Sequence, residues 1–491
     1  MTRRQFGAAA LGAAFLGSKP GIADDCQYPS YRPNAGLTYL PAPLKKTRAV
    51  LPKLDKIERP LLRSLKPGEV TKLWEAYRQL VSRPDNTGLL SQAKLHAYMC
   101  AGGNDVHATW AFLAWHRGFL YFHERILAKI LGPRFRLPIW DWENSSDVPA
   151  PWSSNVVPEL LDRTTCHRSS KLTFPVTDCR LQAWLFSDSF QNFAGGPTYP
   201  GNAYSGIHND IHAQLGGGMV VPATAAADPI FYAHHANVDR YWWYWTKKLN
   251  LKPDPGFWKQ GFSFYDDTGT AVWVCSDQLM DPECLGYSYA AHEPTVPLEG
   301  LGITLLNELN SSASRWNAVR SSITWLSDAD RNQVLSAARE VYSQLSLKAN
   351  DLLPQLNLLQ TPATLELAEL LARKAIPFPV RIKATLDPGG FLAGKYYEIA
   401  LRKAPDGVPL PIAGFGTFSD PHMHSMEIMA TGCFTPDALT LMLTAGNNLE
   451  LWYGPADAAG RLGLDAKKLP KFELEFLNME AQIQDLPALP L

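Results

Sequence analysis

The sequence predicts an α+β protein of several domains, in which a mainly α-helical domain precedes a helical insert and a C-terminal antiparallel β-sandwich. Three observations predict this order. Long apolar segments with helical spacing come first, a second helical composition follows, and short alternating segments separated by Gly, Pro and Asn come last. The predicted domains follow one another along the chain and comprise residues 24–300, 301–377 and 378–491.

The first domain is predicted from its apolar helical segments. Residues 66–82 place apolar side chains near helical spacing, and residues 109–130 lack a polar face until their end, which is typical of a helix deep in a core. Residues 208–215 and 229–248 predict two more core helices. Residues 261–275 alternate around an Asp-Asp-Thr-Gly turn, which predicts a hairpin of two strands.

The rest of the chain changes character twice. Residues 302–372 have helical composition, with Ser327 or Asp328 as a predicted N-cap. From Pro377 onward, segments such as KYYEIALRKA and LELWYGP alternate between apolar and polar residues and end at turn-forming residues. This pattern is typical of an antiparallel β-sandwich.

Composition excludes several classes of protein. Of 491 residues, 46% are apolar, which is enough to bury a full core and excludes a wholly disordered chain. The 46 Lys and Arg residues balance 47 Asp and Glu residues, so the overall basic field typical of a nucleic-acid partner is missing. Apart from the N-terminal segment, which is itself too short, we find no segment apolar enough to cross a bilayer, so we expect no membrane integration.

The N-terminus has the layout of an export signal. Arg3 and Arg4 precede an uncharged stretch, and the small residues of Gly21-Ile22-Ala23 follow it as a cleavage site. The arginine pair predicts the twin-arginine route, with a signal over residues 1–23 and a periplasmic or secreted product. Because that route carries folded proteins, a cofactor can be loaded before export. The alternative is a disordered basic N-terminus.

Seven cysteines suit an exported protein that forms disulfides, but the odd number requires a special use for one of them. Two pairs are close enough in sequence to bond, and a third pair is long-range. The predicted pairs are Cys166–Cys179, Cys275–Cys284 and Cys26–Cys433, which leaves Cys100 over.

Histidines in the later pair of core helices have the spacing of metal ligands. His208 and His212 are four residues apart, so both imidazoles lie on one face of a helix. His234 and His235 are adjacent and point about 100° apart, so only one of them can join the same ion.

Histidines near the first long helix give a less definite pattern. His107 and His116 are nine residues apart and would face opposite ways on one helix, so His107 must precede the helix if both bind one ion. His116 and His123 are seven apart and share a face, which makes His123 a rival ligand.

The alternative for any single histidine is an ordinary polar residue whose hydrogen bonds are satisfied. That alternative weakens when four or more histidines occupy otherwise apolar helices, because buried imidazoles need partners. Sites made only of imidazole suit Cu, Zn, Ni or Fe. The HExxH and paired CxxC patterns of common zinc sites are absent from the sequence.

Five motifs carry a resemblance to a known family. LHAYMC, VHATWAFLAWHRGFLYFHERIL, LPIWDWEN, GIHNDIH and DPIFYAHHANVDRYW resemble the type-3 dicopper family of tyrosinases, catechol oxidases and molluscan-type haemocyanins, over residues 90–250. The resemblance implies a dicopper domain with a four-helix-bundle core, two copper ions, O₂ as co-substrate and small phenols as substrates. Residues 378–478 resemble the shielding domain of plant polyphenol oxidases, whereas residues 302–372 have no counterpart.

The resemblance also implies the ligands. The first copper would be bound by His96, His107 and His116, and the second by His208, His212 and His235. It favours His235 over His234 and assigns His123 to the core or to the surroundings of the site. Cys100 would form a thioether with His107, the alternative being a free buried thiol.

The implied reaction is ortho-hydroxylation of monophenols followed by oxidation of o-diphenols to o-quinones. Asn209, directly after a ligand, would help to hold a water that deprotonates a monophenol, but residues 189–209 lack the glutamate that usually holds the same water. Val221, a small residue over the first copper, would let a phenol stack on His235; ordinary loop packing is the alternative. Three further residues are candidate acceptors for ligand rings or, alternatively, helix caps, and these are Asn104, Asp228 and Asp239.

Two alternatives to a tyrosinase remain open. One is a catechol oxidase without hydroxylase activity, and the other is an oxygen carrier in which a domain excludes substrate. We expect the β-rich domain to shield the site and give a latent enzyme. His422 and His424 form an HxH that would touch copper during loading or, alternatively, lie at the surface. Association into a homo-oligomer is left open.

Overall fold

A computed structural model gives the fold over residues 48–294 and 346–476, with gaps. The residues inside these ranges that are not described are 53, 102–105, 108, 150–151, 153–167, 175, 186–189, 221, 248–252, 258–259, 349–377, 387–394, 405–406, 419–425, 435–437, 439–440, 442–448, 457–461, 463–465 and 470–472. The predicted signal at residues 1–23 and most of the predicted insert therefore lie outside the described residues.

The first part of the chain is helical, as predicted. Its helices are α1 (Pro67–Ser82), α2 (Leu89–Ala101), α3 (Ala111–Leu131), α4 (Asp178–Leu185), α5 (Phe190–Ala194), α6 (Asn202–Ser205), α7 (Ile207–Leu215), α8 (Pro222–Ala225) and α9 (Pro229–Lys247). The four predicted helices correspond to α1, α3, α7 and α9, with ends that shift by no more than two residues. Helix α2 was not predicted.

Helices α3 and α9 form the centre of this domain. Every residue from 111 to 124 of α3 and from 229 to 245 of α9 is buried, which agrees with their lack of a polar face. The two helices contact each other, and α3 also contacts α1. The four-helix-bundle packing that the resemblance implies is not confirmed. None of the described helices is long and apolar enough to span a membrane.

The strands are β1 (Ile57–Glu58), β2 (Gly261–Tyr265), β3 (Ala271–Cys275), β4 (Tyr287–Ser288), β5 (Ser346–Lys348), β6 (Phe378–Leu386), β7 (Tyr396–Lys403), β8 (Leu410–Gly416), β9 (Met426–Phe434), β10 (Leu449–Pro455), β11 (Lys467–Lys468) and β12 (Glu473–Phe476). Strands β2 and β3 form the predicted hairpin, and the Asp266 carboxylate accepts hydrogen bonds from the turn amides of Thr268 and Thr270. Strand β1 pairs with β4 in parallel.

The described strands of the C-terminal part form one antiparallel sheet, whereas a β-sandwich of two packed sheets was predicted. Its eight described strands are hydrogen-bonded in the order β11-β10-β7-β8-β9-β6-β12-β5, and every neighbouring pair is antiparallel. The antiparallel architecture is confirmed, and the division into two packed sheets is not. Residues 346–348, predicted as helix, are a strand because their backbone pairs with β12.

The described residues bear on two of the three predicted disulfides. Cys275 and Cys284 are both free thiols, so the predicted Cys275–Cys284 disulfide is wrong. Proximity in sequence was a poor guide, because Cys275 ends strand β3 and Cys284 lies in a separate short helix. Cys433 is disulfide-bonded. Two of its predicted or potential partners, Cys26 and Cys166, lie outside the described residues, as does the side chain of Cys179.

A buried charge network ties α3 to α9. The Asp239 carboxylate on α9 accepts hydrogen bonds from Arg117 on α3 (2.5 Å) and from the hydroxyls of Tyr287 (2.8 Å) and Tyr289 (2.5 Å). Arg59 lies 3.4 Å from the same carboxylate and stacks over the Tyr287 ring at 3.6 Å. Arg59 also pairs with the buried Glu124 carboxylate at 3.0 Å. Because all these groups are buried, the Asp239 carboxylate is needed chiefly to balance the guanidinium charge of Arg117.

Replacing Asp239 by Ala should therefore lower the free energy of unfolding by about 3–5 kcal/mol, the usual cost of leaving buried charges unpaired. Urea unfolding followed by tryptophan fluorescence measures it. Asp147→Ala is the matched control, because Asp147 faces Lys171 in an exposed pair at 3.8 Å, and exposed pairs contribute little. Equal losses in the two variants would contradict the structural role of the network.

Candidate metal centre

Four helices and one turn bring the six predicted ligands together. His96 lies on α2, His116 on α3, His208 and His212 on α7 and His235 on α9, and His107 lies in the turn before α3. All six are buried. The structure thus confirms that His107 precedes the helix. Within each of two clusters the ligand atoms lie within 4.8 Å of one another, and the clusters are His96, His107, His116 and His208, His212, His234, His235.

Backbone carbonyls fix the ring nitrogens of the first cluster. The Nδ1 of His96 donates to the carbonyl of Pro222 (2.7 Å), and the Nδ1 of His116 donates to the carbonyl of Phe112 (2.8 Å). Because a carbonyl only accepts, both protons are on Nδ1 and both Nε2 atoms carry bare lone pairs. These Nε2 atoms face each other at 3.4 Å.

The second cluster is built in the same way. The Nδ1 of His208 donates to the Asn209 side-chain oxygen (2.9 Å), and the Nδ1 of His212 donates to the carbonyl of Met219 (2.6 Å). The Nε2 atoms of these two ligands lie 3.3 Å and 3.4 Å from the Nε2 of His235. The Nε2 lone pairs of His208 and His212 are therefore both directed toward the Nε2 of His235, an arrangement that suits a cation among them.

These separations suit metal ions. Two imidazole nitrogens that share one tetrahedral ion at about 2.0–2.1 Å lie about 3.3 Å apart, and the observed Nε2 separations are 3.3–3.4 Å. Donor sets made only of imidazole suit copper among the first-row metals. The rings of His116 and His235 stack at 4.4 Å with 11° between their planes, so the two clusters are in direct contact.

Burial keeps these imidazoles neutral. Loss of hydration lowers the pKa of His96 to about 4 and that of His208 to about 3. The pKa values of His107, His116 and His212 also fall well below the usual value, through burial first and neighbouring histidines next. A neutral imidazole is the form that binds a metal, so the ligands need not lose protons at neutral pH.

His234 also lies in the second cluster. Its ring stacks on His208 at 5.3 Å, and neither of its nitrogens has a hydrogen-bond partner among the described residues. The Nε2 of His235, by contrast, faces two other ligands at 3.3–3.4 Å. These contacts favour His235 as the ligand, in line with the prediction.

His123, the rival ligand, lies outside both clusters. Its ring stacks on Tyr232 with 3.5 Å between centroids, and its Nε2 lies 3.3 Å from the Tyr77 hydroxyl. The shared face of α3 extends over almost two turns, so a residue seven positions from His116 contacts a different part of the core.

Two of the predicted acceptors for ligand rings bind other partners instead. Asp228 caps α9 through the amide of Ile230 (3.0 Å) and pairs with Arg168 (2.6 Å). Asp239 binds the arginines and tyrosines described above. For Asp228 the alternative role of a helix cap is therefore the one observed, and Asp239 serves the charge network, whereas backbone carbonyls and Asn209 accept from the ligand rings. Four other predicted positions lie outside the described residues, namely Asn104, Val221, His422 and His424, and so does the side chain of Cys100.

One residue at the site was missed by the sequence analysis. Phe418 lies two residues beyond the end of β8, and its ring stacks on His212 at 4.0 Å with 21° between the planes. It also meets His107 and His208 edge-on, at 5.6 Å in both cases. The C-terminal domain thus places an aromatic ring against ligands of both clusters. No motif in the sequence indicated this contact.

The position of Phe418 is fixed by close packing of β8 on α7. The Gly416 amide donates to the Asp210 carboxylate (2.6 Å), which also pairs with Arg180 on α4. A Cβ atom at Gly416 would lie only 2.3 Å from the Asn209 carbonyl oxygen, so this approach requires glycine. Helix α7 therefore carries ligands and also contacts the strand that covers them.

A known family of proteins matches the part of the chain that carries the site. The model of the common central domain of tyrosinase matches residues 87–173 and 161–248, which contain every candidate ligand. Residues 87–248 thus match this family model, which supports a type-3 dicopper protein. The two histidine clusters fit the two copper sites of this family, for which O₂ is the co-substrate.

Curated relatives resemble the helical part of the chain. A chloroplastic polyphenol oxidase A1 of Vicia faba is 28% identical over 256 residues, covering 42% of this chain and 42% of the relative. A tyrosinase of Hahella sp. is 30% identical over 229 residues, covering 39% of this chain and 48% of the relative. The chain thus spans about half the length of these relatives.

Solved structures show a similar fold over more of the chain. Latent apple tyrosinase matches with a TM-score of 0.54 and 18% identity, over 87% of this chain and 99% of that one. A latent aurone synthase, also a polyphenol oxidase, matches with a TM-score of 0.55 and 18% identity, over 88% and 92% of the two chains. At this identity the likeness shows the fold alone.

The two members of the adjacent histidine pair should differ in copper binding. His235→Ala removes an Nε2 that faces two other ligands, so the copper content should fall from two ions per chain to one. His234→Ala should keep both ions. Elemental analysis of the purified chains measures this, with His123→Ala as a control that also removes a buried imidazole. Loss of an ion from His234→Ala with retention in His235→Ala would reverse the assignment.

Proposed function

We propose that the chain oxidises phenols with O₂, by ortho-hydroxylation of monophenols and by oxidation of o-diphenols to o-quinones. The observation that carries this proposal is the pair of adjoining histidine clusters with converging Nε2 lone pairs. Two copper ions held by these histidines would supply redox chemistry with O₂. Relatives named as polyphenol oxidases and a tyrosinase support the same reaction class.

The chain's own residues orient the ligands and shape the space for substrate. The carbonyls of Phe112, Pro222 and Met219 hold the rings of His116, His96 and His212 in one tautomer, so these three imidazoles need not turn before they bind. Phe231 packs on His235 at 4.1 Å and keeps water from the ligand nitrogens. The ring of Phe418 marks a space among the ligands that fits one aromatic ring.

Proton removal from a monophenol separates the two candidate activities. Asn209 is held beside the site by its bond to His208, and this position supports its predicted role in holding a water. The stretch 189–209 contains no glutamate to share that role. We therefore propose that diphenol oxidation is faster than monophenol hydroxylation. A catechol oxidase without hydroxylase activity is the second candidate.

Oxygen consumption tests the reaction and separates the candidates. The copper-loaded Phe418→Ala chain, whose site is open, should consume O₂ with 4-methylcatechol and more slowly with 4-methylphenol, and a copper chelator should abolish both. If O₂ is consumed with the catechol but not with the monophenol, the chain is a catechol oxidase, the second candidate. Reversible O₂ binding without turnover of either phenol, in a chain whose site is open, would instead identify an oxygen carrier.

We also propose that the enzyme is latent, because the Phe418 ring lies where a phenol must bind. The ring is 1% exposed and contacts three ligands, so substrate cannot enter without displacing it. The domain that carries this ring is the one that resembles a shielding domain.

Substitutions that open the site should raise diphenol turnover of the full chain. Phe418→Ala removes the covering ring, and Gly416→Ala forces β8 away from α7 because its new Cβ would overlap the Asn209 carbonyl. We expect at least a tenfold increase for each, since the packing of a buried Phe is worth about 3–5 kcal/mol. Proteolytic removal of the residues beyond about 375 should act in the same direction.

Gly68→Ala is the matched control for Gly416→Ala, because a Cβ at Gly68 meets no atom within 4 Å. Its turnover should equal that of the unmodified chain. Unchanged turnover after proteolysis and in both opening variants would show that the C-terminal domain does not cover the site.

A further inference from the structure

The residue that covers the site, Phe418, contacts the helical domain through two different groups. The ring of Phe418 occupies the space among the ligand histidines, and its main-chain carbonyl accepts a hydrogen bond from the Tyr204 hydroxyl at 3.0 Å. Between ring and carbonyl oxygen stand three carbons, namely Cβ, Cα and the carbonyl carbon. The site therefore holds an aromatic ring and an oxygen acceptor at a fixed spacing.

Tyr204 is supported by the helical domain as well as by its hydrogen bond to Phe418. It lies on α6, whose Asn202 exchanges two hydrogen bonds of 2.8 Å with Trp184 through side-chain and main-chain atoms. The ring of Tyr204 packs on His107 at 5.2 Å and on Phe112 at 5.4 Å. Because the ring contacts and the hydrogen bonds of α6 belong to the helical domain, the hydroxyl keeps its position when Phe418 leaves.

Neighbouring polar groups on α7 already bind other partners. The side-chain oxygen of Asn209 accepts from His208, and the Asp210 carboxylate binds Arg180 and the Gly416 amide. Among the described residues, the Tyr204 hydroxyl is thus the side-chain group that donates a hydrogen bond to Phe418.

We propose that Tyr204 is a specificity-determining residue that donates a hydrogen bond to the side chain of the phenol. It selects phenols with a carbonyl, amide or carboxylate oxygen on the third carbon from the ring, the spacing that Phe418 presents. The inference rests on the proposed phenol oxidation and narrows its substrate class. A phenol without such an acceptor leaves the hydroxyl without this bond, and a site built to form a hydrogen bond discriminates against substrates that cannot form it.

Two catechols of equal shape test this proposal on the full copper-loaded chain opened by Gly416→Ala. One is 3-(3,4-dihydroxyphenyl)propanamide, and the other is 4-(3-methylbutyl)catechol, in which an isopropyl group replaces the amide. Adding Tyr204→Phe should lower the ratio of their kcat/KM values about fivefold, the effect of one ordinary hydrogen bond. The change should appear in the KM of the amide, since the contact is remote from the reacting oxygen.

A merely structural role of Tyr204 would alter both catechols alike and leave the ratio unchanged. The second readout needs no turnover: calorimetry with 3-phenylpropanamide, which has no hydroxyl to oxidise, should show about fivefold weaker binding after Tyr204→Phe. Tyr396→Ala, which removes a ring stacked on Phe174 at 4.2 Å, is a second way to open the full chain should Gly416→Ala fail to fold.

The outcomes separate the two proposals. If neither catechol is oxidised but the amide still binds more weakly after Tyr204→Phe, the proposed function is wrong and the Tyr204 contact stands. If both catechols are oxidised with a ratio that Tyr204→Phe does not change, or if 3-phenylpropanamide binds equally or not at all in the opened chains, the Tyr204 inference is overturned.

Discussion

Everything at the metal centre depends on where the imidazole protons lie. Carbonyl oxygens can only accept, so His96, His116 and His212 must keep their protons on Nδ1 and direct bare Nε2 atoms inward. Burial among aromatic rings then keeps the rings uncharged. The fold thus holds ring nitrogens of neighbouring ligands at 3.3–3.4 Å, an arrangement that bound cations would stabilise and that gives these buried imidazoles partners.

The sequence was informative wherever the signal was local and periodic. The spacing of four between His208 and His212 and the missing polar face of residues 109–130 reflect helix geometry directly, and both interpretations agree with the structure. The nine-residue interval between His107 and His116 correctly required a break before α3. The choice of His235 over its neighbour came from resemblance, since adjacent positions on a helix do not show which one faces an ion.

What the sequence did not reveal was long-range or made by the backbone. Carbonyl acceptors such as that of Pro222 have no side-chain signature, so acidic residues were assigned a role that the main chain performs. Phe418 lies more than 200 positions from the ligands that it contacts, in a segment whose local pattern indicates only a strand end. The pairing of Ser346–Lys348 with β12 likewise depends on a distant partner rather than on local preference.

The position of Asp210 has a consequence for how such a protein can change over generations. Its carboxylate binds the covering strand while its neighbours two positions away on either side bind the metal. A substitution here that loosens the cover also disturbs the turn of helix that aims two imidazoles. Inherited variation in the tightness of this contact should therefore accumulate on the strand side, which carries none of the described ligand histidines.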